Sequence, residues 1–148
     1  RVTADRLYDD PIPLGPAYRN VLGEVLLTEA GASATVYGGD FPDAVGSLGS
    51  PFPLDAAMHA ACAWGQRYRG RVVFPVGFDR REILFPTRAG EIYSCRIRPL
   101  PDEEPLLRFD IRIFGPDRQP LETIHGLAMK EIFAERNAPP DWIREGIR

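Results

Sequence analysis

Four polar side chains recur at helical spacing within one apolar stretch of the chain: Asp55, His59, Cys62 and Gln66. Residues three and four positions apart share a face of an α-helix, so we expect these four to lie on one side. A carboxylic acid and an imidazole one turn apart can donate and accept protons, which is the chemistry of general acid–base catalysis. Burying such groups unpaired is costly, so we expect them to be hydrogen-bonded or to face a cavity.

The stretch from Leu54 to Tyr68 has the composition of a buried helix. It is rich in alanine and follows a proline-rich turn, and proline is tolerated at the start of a helix because its missing N–H would be unpaired there anyway. Gly70, close behind two arginines, is a typical end signal. Apolar residues surround the whole helix rather than one face, and such helices are usually buried. The sequence therefore predicts one long central helix.

The composition is that of one soluble globular domain. A chain of 148 residues with 44% hydrophobic and 26% charged residues is long enough and apolar enough for a core. A net charge of −3 without a basic patch argues against nucleic acid as a partner. No apolar run approaches the ~20 residues of a membrane span, and no signal peptide is visible. Cys62 and Cys95 are interpreted as free buried thiols of a cytoplasmic protein.

Strand-like segments flank the helix on both sides. Residues 20–28 and 32–37 form a predicted hairpin before it; residues 72–85 (broken near Pro75 and Gly77), 91–98, 106–114 and 121–133 follow it. We interpret residues 1–16 as a lead-in without an element, 38–53 as a long loop, and 134–148 as a tail beyond a core of about 17–133.

One long helix with a run of antiparallel strands predicts an α+β hotdog fold, in which an antiparallel sheet wraps around one long central helix. We expect residues 1–148 to form a single hotdog domain. A sheet of this kind has an open edge, so two such units normally pair side by side. The chain begins with Arg1 rather than Met, and we interpret it as a piece cut from a larger polypeptide.

Three segments resemble motifs of polyketide synthase dehydratase domains, in the same order and spacing over roughly residues 7 to 133. The YGPxF element is resembled by Leu7-Tyr8 and Leu14-Gly15-Pro16-Ala17-Tyr18. The HPxLLDAALQ/H helix motif is resembled by Ser50-Pro51-Phe52-Pro53-Leu54-Asp55-Ala56-Ala57-Met58-His59-Ala60. The DxxGxPV turn is resembled by Asp117-Arg118-Gln119-Pro120-Leu121. The sequence departs from these motifs at Leu14, Ser50 and Gln119, which replace a Tyr, a His and a Gly.

The resemblance implies the second half of a double-hotdog dehydratase. In that family the first half supplies a catalytic His from an HxxxGxxxxP motif, and the second half supplies the Asp of the buried helix. Together they remove water from a 3-hydroxyacyl chain held on the phosphopantetheine arm of an acyl carrier protein, giving the 2-enoyl product without a cofactor or metal. Neither His59 nor His125 is followed by the HxxxGxxxxP pattern, so a second hotdog, upstream or a homodimer mate, has to supply that His.

The resemblance also implies roles for single residues. Asp55 would be the acid, and His59 would orient Asp55 or the substrate hydroxyl. The implied substrate-binding residues are Leu14, Pro16, Tyr18, Met58 and Cys62. The residues alone leave other roles open, since Asp55 could cap backbone N–H groups and His59 could be a hydrogen-bonded core residue. Burial favours a protonated Asp55 whereas a helix N-terminus favours the anion, and the sequence leaves that balance open.

Two other functions stay open at this point. One is a non-catalytic pseudo-dehydratase hotdog that binds acyl chains or serves as a scaffold within a synthase. The weaker alternative is a hotdog thioesterase, in which a helix carboxylate drives hydrolysis of an acyl thioester.

Overall fold

The computed structural model describes residues 1–132 and 134–145. In chain order its elements are β1 (Val2–Thr3), α1 (Ala4–Asp9), β2 (Val21–Thr28), β3 (Gly31–Tyr37), α2 (Phe52–Arg69), β4 (Val73–Gly77), β5 (Arg80–Ile83), β6 (Ile92–Pro99), β7 (Leu106–Phe114), β8 (Pro120–Glu131) and α3 (Asp141–Glu145). The segment 72–85 forms two strands where one broken strand was predicted. Phe133, the predicted last residue of the final strand, lies outside the described residues.

The strands form one antiparallel sheet in the order β1-β2-β3-β6-β7-β8-β4, and β5 also pairs with β8. Helix α2 packs against β2, β3, β4, β6 and β7, so one helix contacts most of the width of the sheet. The predicted α+β hotdog arrangement, an antiparallel sheet around one long helix, is confirmed.

The sequence of α2 explains why it lies in the core. Its alanines at positions 56, 57, 60, 61 and 63 are fully buried, and such small side chains let the helix approach the sheet closely. Trp64 fills the space beside them, with its ring edge-to-face against Phe109 and its Nε1–H donated to the Thr28 carbonyl at 2.9 Å. The helix ends at Gly70, which has a φ of 65° that glycine adopts without steric cost.

The expectation that residues 1–16 form a lead-in without an element is wrong. Thr3 caps α1 by accepting a hydrogen bond from the backbone N–H of Arg6, and α1 buries Leu7 and Tyr8. At the other end, Ile143 of α3 belongs to the same core cluster. The core therefore extends beyond residues 17–133 in both directions. The six residues of α1 are too few to show a helical period in the sequence.

Glu122 is a buried carboxyl on β8 that forms an ion pair with Arg81 of β5. Burial raises the pKa of Glu122 above its ordinary value, although Arg81 opposes the shift. A carboxyl whose pKa is raised in the folded state binds its proton more tightly there than in the unfolded chain. Its contribution to stability is therefore lost as the pH rises from the unfolded pKa, about 4.3, through the folded pKa.

We expect the Glu122→Gln variant to gain stability relative to the wild type as the pH rises through that window. Urea unfolding of both proteins between about pH 4 and about pH 7 measures the difference. Glu29→Gln, at an exposed turn position, is the control and should keep a constant offset. A constant offset for Glu122→Gln as well would contradict the prediction.

Candidate active site

The predicted polar face of α2 lines a cavity. Asp55, His59, Cys62 and Gln66 all contribute to its wall, and the cavity has a volume of about 580 Å³. The spacing argument is therefore confirmed: residues of successive turns lie along one side of the helix and face the same space. The remaining wall is mostly apolar, so the Asp55 carboxyl and the His59 imidazole face a largely apolar cavity.

His59 connects Asp55 to a buried tyrosine. Its Nε2 lies 3.2 Å from Asp55 Oδ2, and its Nδ1 lies 3.0 Å from the Tyr8 hydroxyl. The Tyr8 oxygen in turn accepts the backbone N–H of Val21 at 3.0 Å. Burial raises the pKa of Tyr8 to about 12, so this hydroxyl keeps its proton at neutral pH. Sequence reasoning did not assign Tyr8 to the site, although Leu7-Tyr8 belongs to a segment that resembles a family motif.

Asp55 has two unequal carboxyl oxygens. Oδ2 is buried, and although it lies close to His59, the two are not aligned as a hydrogen bond, so Oδ2 has no such partner among the described residues. The side chain as a whole is 38% exposed, so we take Oδ1 as the oxygen that reaches the cavity. Asp55 also lies in the first turn of α2, where the helix dipole favours a negative charge. This carboxyl is neither sealed in the core nor out in bulk water, and it can exchange a proton with a bound molecule.

The structure places four of the five predicted substrate-binding residues in the cavity wall: Leu14, Tyr18, Met58 and Cys62. Their role in binding stays a prediction. Pro16 is not among the lining residues, and its role in binding also stays a prediction. It begins a short 3₁₀ turn, residues 16–18, and is exposed to solvent. A proline in the first position of such a turn needs no partner for its nitrogen, so nothing draws it inward.

Three further segments complete the wall and were not predicted. They are residues 10–13, residues 72–75 at the start of β4, and Met129 with residues 136, 137, 138 and 140. Met129 pairs with Pro75 across the β4–β8 ladder, which places both beside α2. The alternation of Leu127 and Met129 in the last strand indicated an inward face but not what that face would line.

Gln66 and Cys62 lie together in the wall, on the C-terminal side of His59. The Gln66 amide donates to the Pro11 carbonyl at 3.4 Å, whereas its Oε1 is buried without a hydrogen-bond partner in the described part of the chain. Burial raises the pKa of the Cys62 thiol. Cys62 therefore stays protonated and serves as an apolar part of the wall.

We expect Met58→Trp to weaken the binding of a fluorescent acyl-chain analogue by tenfold or more, because the larger ring would occupy space that the acyl chain needs. A fluorescence titration measures the dissociation constant. Leu84→Trp is the control, since Leu84 is exposed and does not line the cavity. Equal affinities for the two variants would show that the acyl analogue binds elsewhere.

Residues 1–132 and 134–145 contain no group of three His, Cys, Asp or Glu side chains that is placed to hold a metal ion. Within the same ranges, no helix combines the length and the apolar character needed to cross a membrane.

No protein-family model matches the chain, and no curated protein matches it. Solved structures of dehydratase domains do. The dehydratase domain of RzxB from Pseudomonas fluorescens aligns with a TM-score of 0.69 and 22% identity, over 87% of this chain and 48% of that one. The dehydratase domain from the CurK module of the curacin polyketide synthase gives 0.71 and 14%, over 91% and 49%. The bifunctional dehydratase-cyclase domain in ambruticin biosynthesis gives 0.63 and 17%, over 80% and 42%.

The chain spans about half the length of each of these structures. At these identities the likeness concerns the fold. The resemblance indicated by the sequence motifs is therefore confirmed at that level: the chain has the fold of about one half of a polyketide synthase dehydratase domain, which corresponds to one hotdog unit.

Proposed function

We propose that the chain is the C-terminal hotdog half of a 3-hydroxyacyl-[acyl carrier protein] dehydratase in a polyketide or fatty acid type of synthase. The observation that carries this proposal is the position of Asp55, a carboxyl in the wall of a largely apolar cavity on a fold shared with dehydratase domains. The cavity volume is within the range of small-molecule sites. An acyl chain on the phosphopantetheine arm of a carrier protein is the ligand that such a cavity would take.

The reaction proposed is a β-elimination. A histidine of the second hotdog takes the proton from the α-carbon, and the electron pair of that C–H bond forms the α,β double bond. The C–O bond at the β-carbon breaks as Asp55 gives its proton to the leaving hydroxyl, which departs as water. The His then carries an extra proton and Asp55 lacks one, and proton transfer through the released water restores both.

An open edge beside the cavity is the proposed docking place for the second hotdog. Strand β4 ends the sheet, and within the described ranges no strand pairs with its outer side. Phe74, Val76 and Phe78 are exposed on or next to this strand, and Phe74 also lines the cavity. Exposed apolar edge strands readily pair with another chain. A hotdog docked there would extend the sheet and bring its catalytic His to the mouth of the Asp55 cavity.

The test combines this chain with the parent's upstream hotdog half and a 3-hydroxyacyl carrier protein. Mass spectrometry should detect the 2-enoyl product only when both halves are present.

We expect Phe74→Asp with Val76→Asp to weaken association of the halves at least tenfold, because charges would be buried at the interface. Isothermal titration calorimetry measures this. Leu26→Asp, exposed on β2 far along the sheet order, is the control. Equal weakening by the control, or product from this chain alone, would contradict the docking model.

A non-catalytic acyl-binding hotdog is the second candidate, and one observation favours it. Neither histidine of the chain is free to act as a base across the cavity: His59 Nδ1 is hydrogen-bonded to Tyr8, and His125 contacts Glu82 outside the cavity. If the two halves bind each other and an acyl analogue but form no enoyl product, this second function is the correct one. Release of free thiol instead would indicate a thioesterase.

A further inference from the structure

The Tyr8 hydroxyl lies where three elements meet. Tyr8 belongs to α1, its oxygen accepts the N–H of Val21 at the start of β2, and it lies 3.0 Å from Nδ1 of His59 on α2. Tyr8 is almost fully buried and does not line the cavity. It therefore cannot touch a substrate, and any influence on the reaction has to pass through His59.

We infer that Tyr8 is a positioning residue, which holds His59 as the neutral tautomer with its proton on Nε2 and so places that N–H beside Asp55 Oδ2, close by but not aligned for a hydrogen bond. The importance of this for dehydration rests on the function proposed for Asp55. The hydrogen-bonding arrangement itself does not depend on that function.

The assignment follows from counting donors and acceptors. A tyrosine hydroxyl has one hydrogen to donate, and a neutral imidazole has one donor nitrogen and one acceptor nitrogen. The Val21 N–H can only donate, so it uses a lone pair of the Tyr8 oxygen and leaves the hydroxyl hydrogen for another partner. The second lone pair of the oxygen could accept an Nδ1–H, but the buried hydroxyl hydrogen would then have no acceptor among the described residues, so we assign Nδ1 of His59, 3.0 Å away, as its acceptor. Nδ1 is thus unprotonated, and the ring proton belongs on Nε2.

This tautomer determines what His59 can do. Nε2 already carries a proton, so it cannot take one from Asp55, and an N–H beside Oδ2 is favoured over a lone pair because Oδ2 is an acceptor, also when Asp55 carries its proton on Oδ1. Nδ1 faces Tyr8 rather than the cavity, so it cannot act as the base that removes a substrate proton. His59 then stabilises the Oδ2 side of Asp55, and the proton that reacts is exchanged on the cavity side through Oδ1.

The charged groups around this pair come from two elements. Asp55 faces His59 from within α2 at 3.2 Å. The Arg19 guanidinium lies 5.9 Å from the centre of the Tyr8 ring. Within the described residues, the Tyr8 hydroxyl is the group at hydrogen-bond distance from Nδ1.

Side-chain ¹⁵N NMR of the full chain tests the inference, because it reports which ring nitrogen carries the proton. The chain has 2 histidines, and His125→Asn assigns the signals. Asp55→Ala removes the carboxylate that also favours Nε2–H, which leaves Tyr8 as the group under test. We expect the Nε2–H tautomer in the wild type and in Asp55→Ala. Adding Tyr8→Phe to Asp55→Ala should raise the Nδ1–H population roughly five- to thirtyfold.

Tyr93→Phe is the matched control. Tyr93 is also buried, and its hydroxyl accepts the Arg88 N–H at 2.7 Å and donates to Glu91 at 3.0 Å, away from His59. Added to Asp55→Ala, it should leave the tautomer unchanged. An Nδ1–H tautomer in the wild type, or the same populations with and without the Tyr8 hydroxyl, would overturn the inference.

The assay of the reconstituted dehydratase adds a separate readout. Tyr8→Phe should lower kcat about fivefold or more with little change in KM, because the substrate contacts are kept. The NMR experiment needs neither substrate nor partner. The Nε2–H tautomer without any dehydration would therefore refute the proposed function and not the positioning role of Tyr8. Dehydration activity together with a tautomer that does not change when the Tyr8 hydroxyl is removed would refute the positioning role and not the proposed function.

Discussion

Replacing Asp55 with Asn is expected to lower kcat for dehydration in the reconstituted double hotdog by about 10²–10⁴-fold. An amide has nearly the shape of a carboxyl but cannot give a proton to the leaving hydroxyl. The structure places this side chain in the first turn of α2 with its exposed part in the cavity wall. We expect KM to change little, because the carboxyl is a small part of a wall that is otherwise mostly apolar.

The control for this experiment is Asp5→Asn. Asp5 also lies in the first turn of a helix, α1, but it is exposed and outside the cavity. It makes the same carboxyl-to-amide change near a helix N-terminus, so it separates the chemical role of Asp55 from a general effect at such a position. An unchanged kcat in Asp55→Asn, or an equal loss in both variants, would rule out Asp55 as the acid.

The second large effect is expected from Trp64→Ala, which should lower the free energy of unfolding by about 3–5 kcal/mol. Trp64 is 2% exposed, packs against Phe109 with ring centroids 5.6 Å apart, and donates a hydrogen bond to the Thr28 carbonyl. Removing the ring leaves a cavity between α2 and the sheet and a buried carbonyl without its donor.

Trp142→Ala is the matched control, since the chain has 2 tryptophans. Trp142 lies on α3 near the surface, where it donates to Asp10 and stacks under the Arg6 guanidinium. We expect it to cost less than Trp64→Ala, since Trp142 is only partly buried and loses one hydrogen bond. Urea unfolding followed by circular dichroism measures both. A loss below 1 kcal/mol for Trp64→Ala would mean that α2 is not the centre of the core.

The sequence predicted the features that short-range patterns determine. The bounds of β7, Leu106–Phe114, agree with the prediction because apolar and charged residues alternate from Leu107 to Ile113. Helix α2 was predicted as 54–68 and observed as Phe52–Arg69, since proline at the start and Gly70 at the end are strong signals. The face of α2 that carries Asp55 followed directly from the helical period.

What the sequence did not predict depends on contacts between distant segments. Helix α1 has only six residues and is followed by a proline-rich run, so the sequence pattern indicated a loop there instead of a helix. Because α1 was not predicted, Tyr8 was not assigned to the site. The contact of Tyr8 with His59 joins residues 51 positions apart in the chain. Pro16 was predicted to bind substrate from its motif position alone, and in the structure it begins a short turn, is exposed and does not line the cavity.

The polar face of α2 also defines a distance along the cavity wall. Asp55 in the first turn and Gln66 near the end lie on the same cavity wall, about 16 Å apart along the helix axis at about 1.5 Å per residue. For the dehydratase proposed above, an acyl tail that runs beside the helix from the reacting carbon would pass Met58 and Cys62 and meet the polar Gln66 amide at the far end. The distance between Asp55 and Gln66 would then set the length of hydrocarbon tail that fits before its tip reaches a polar group.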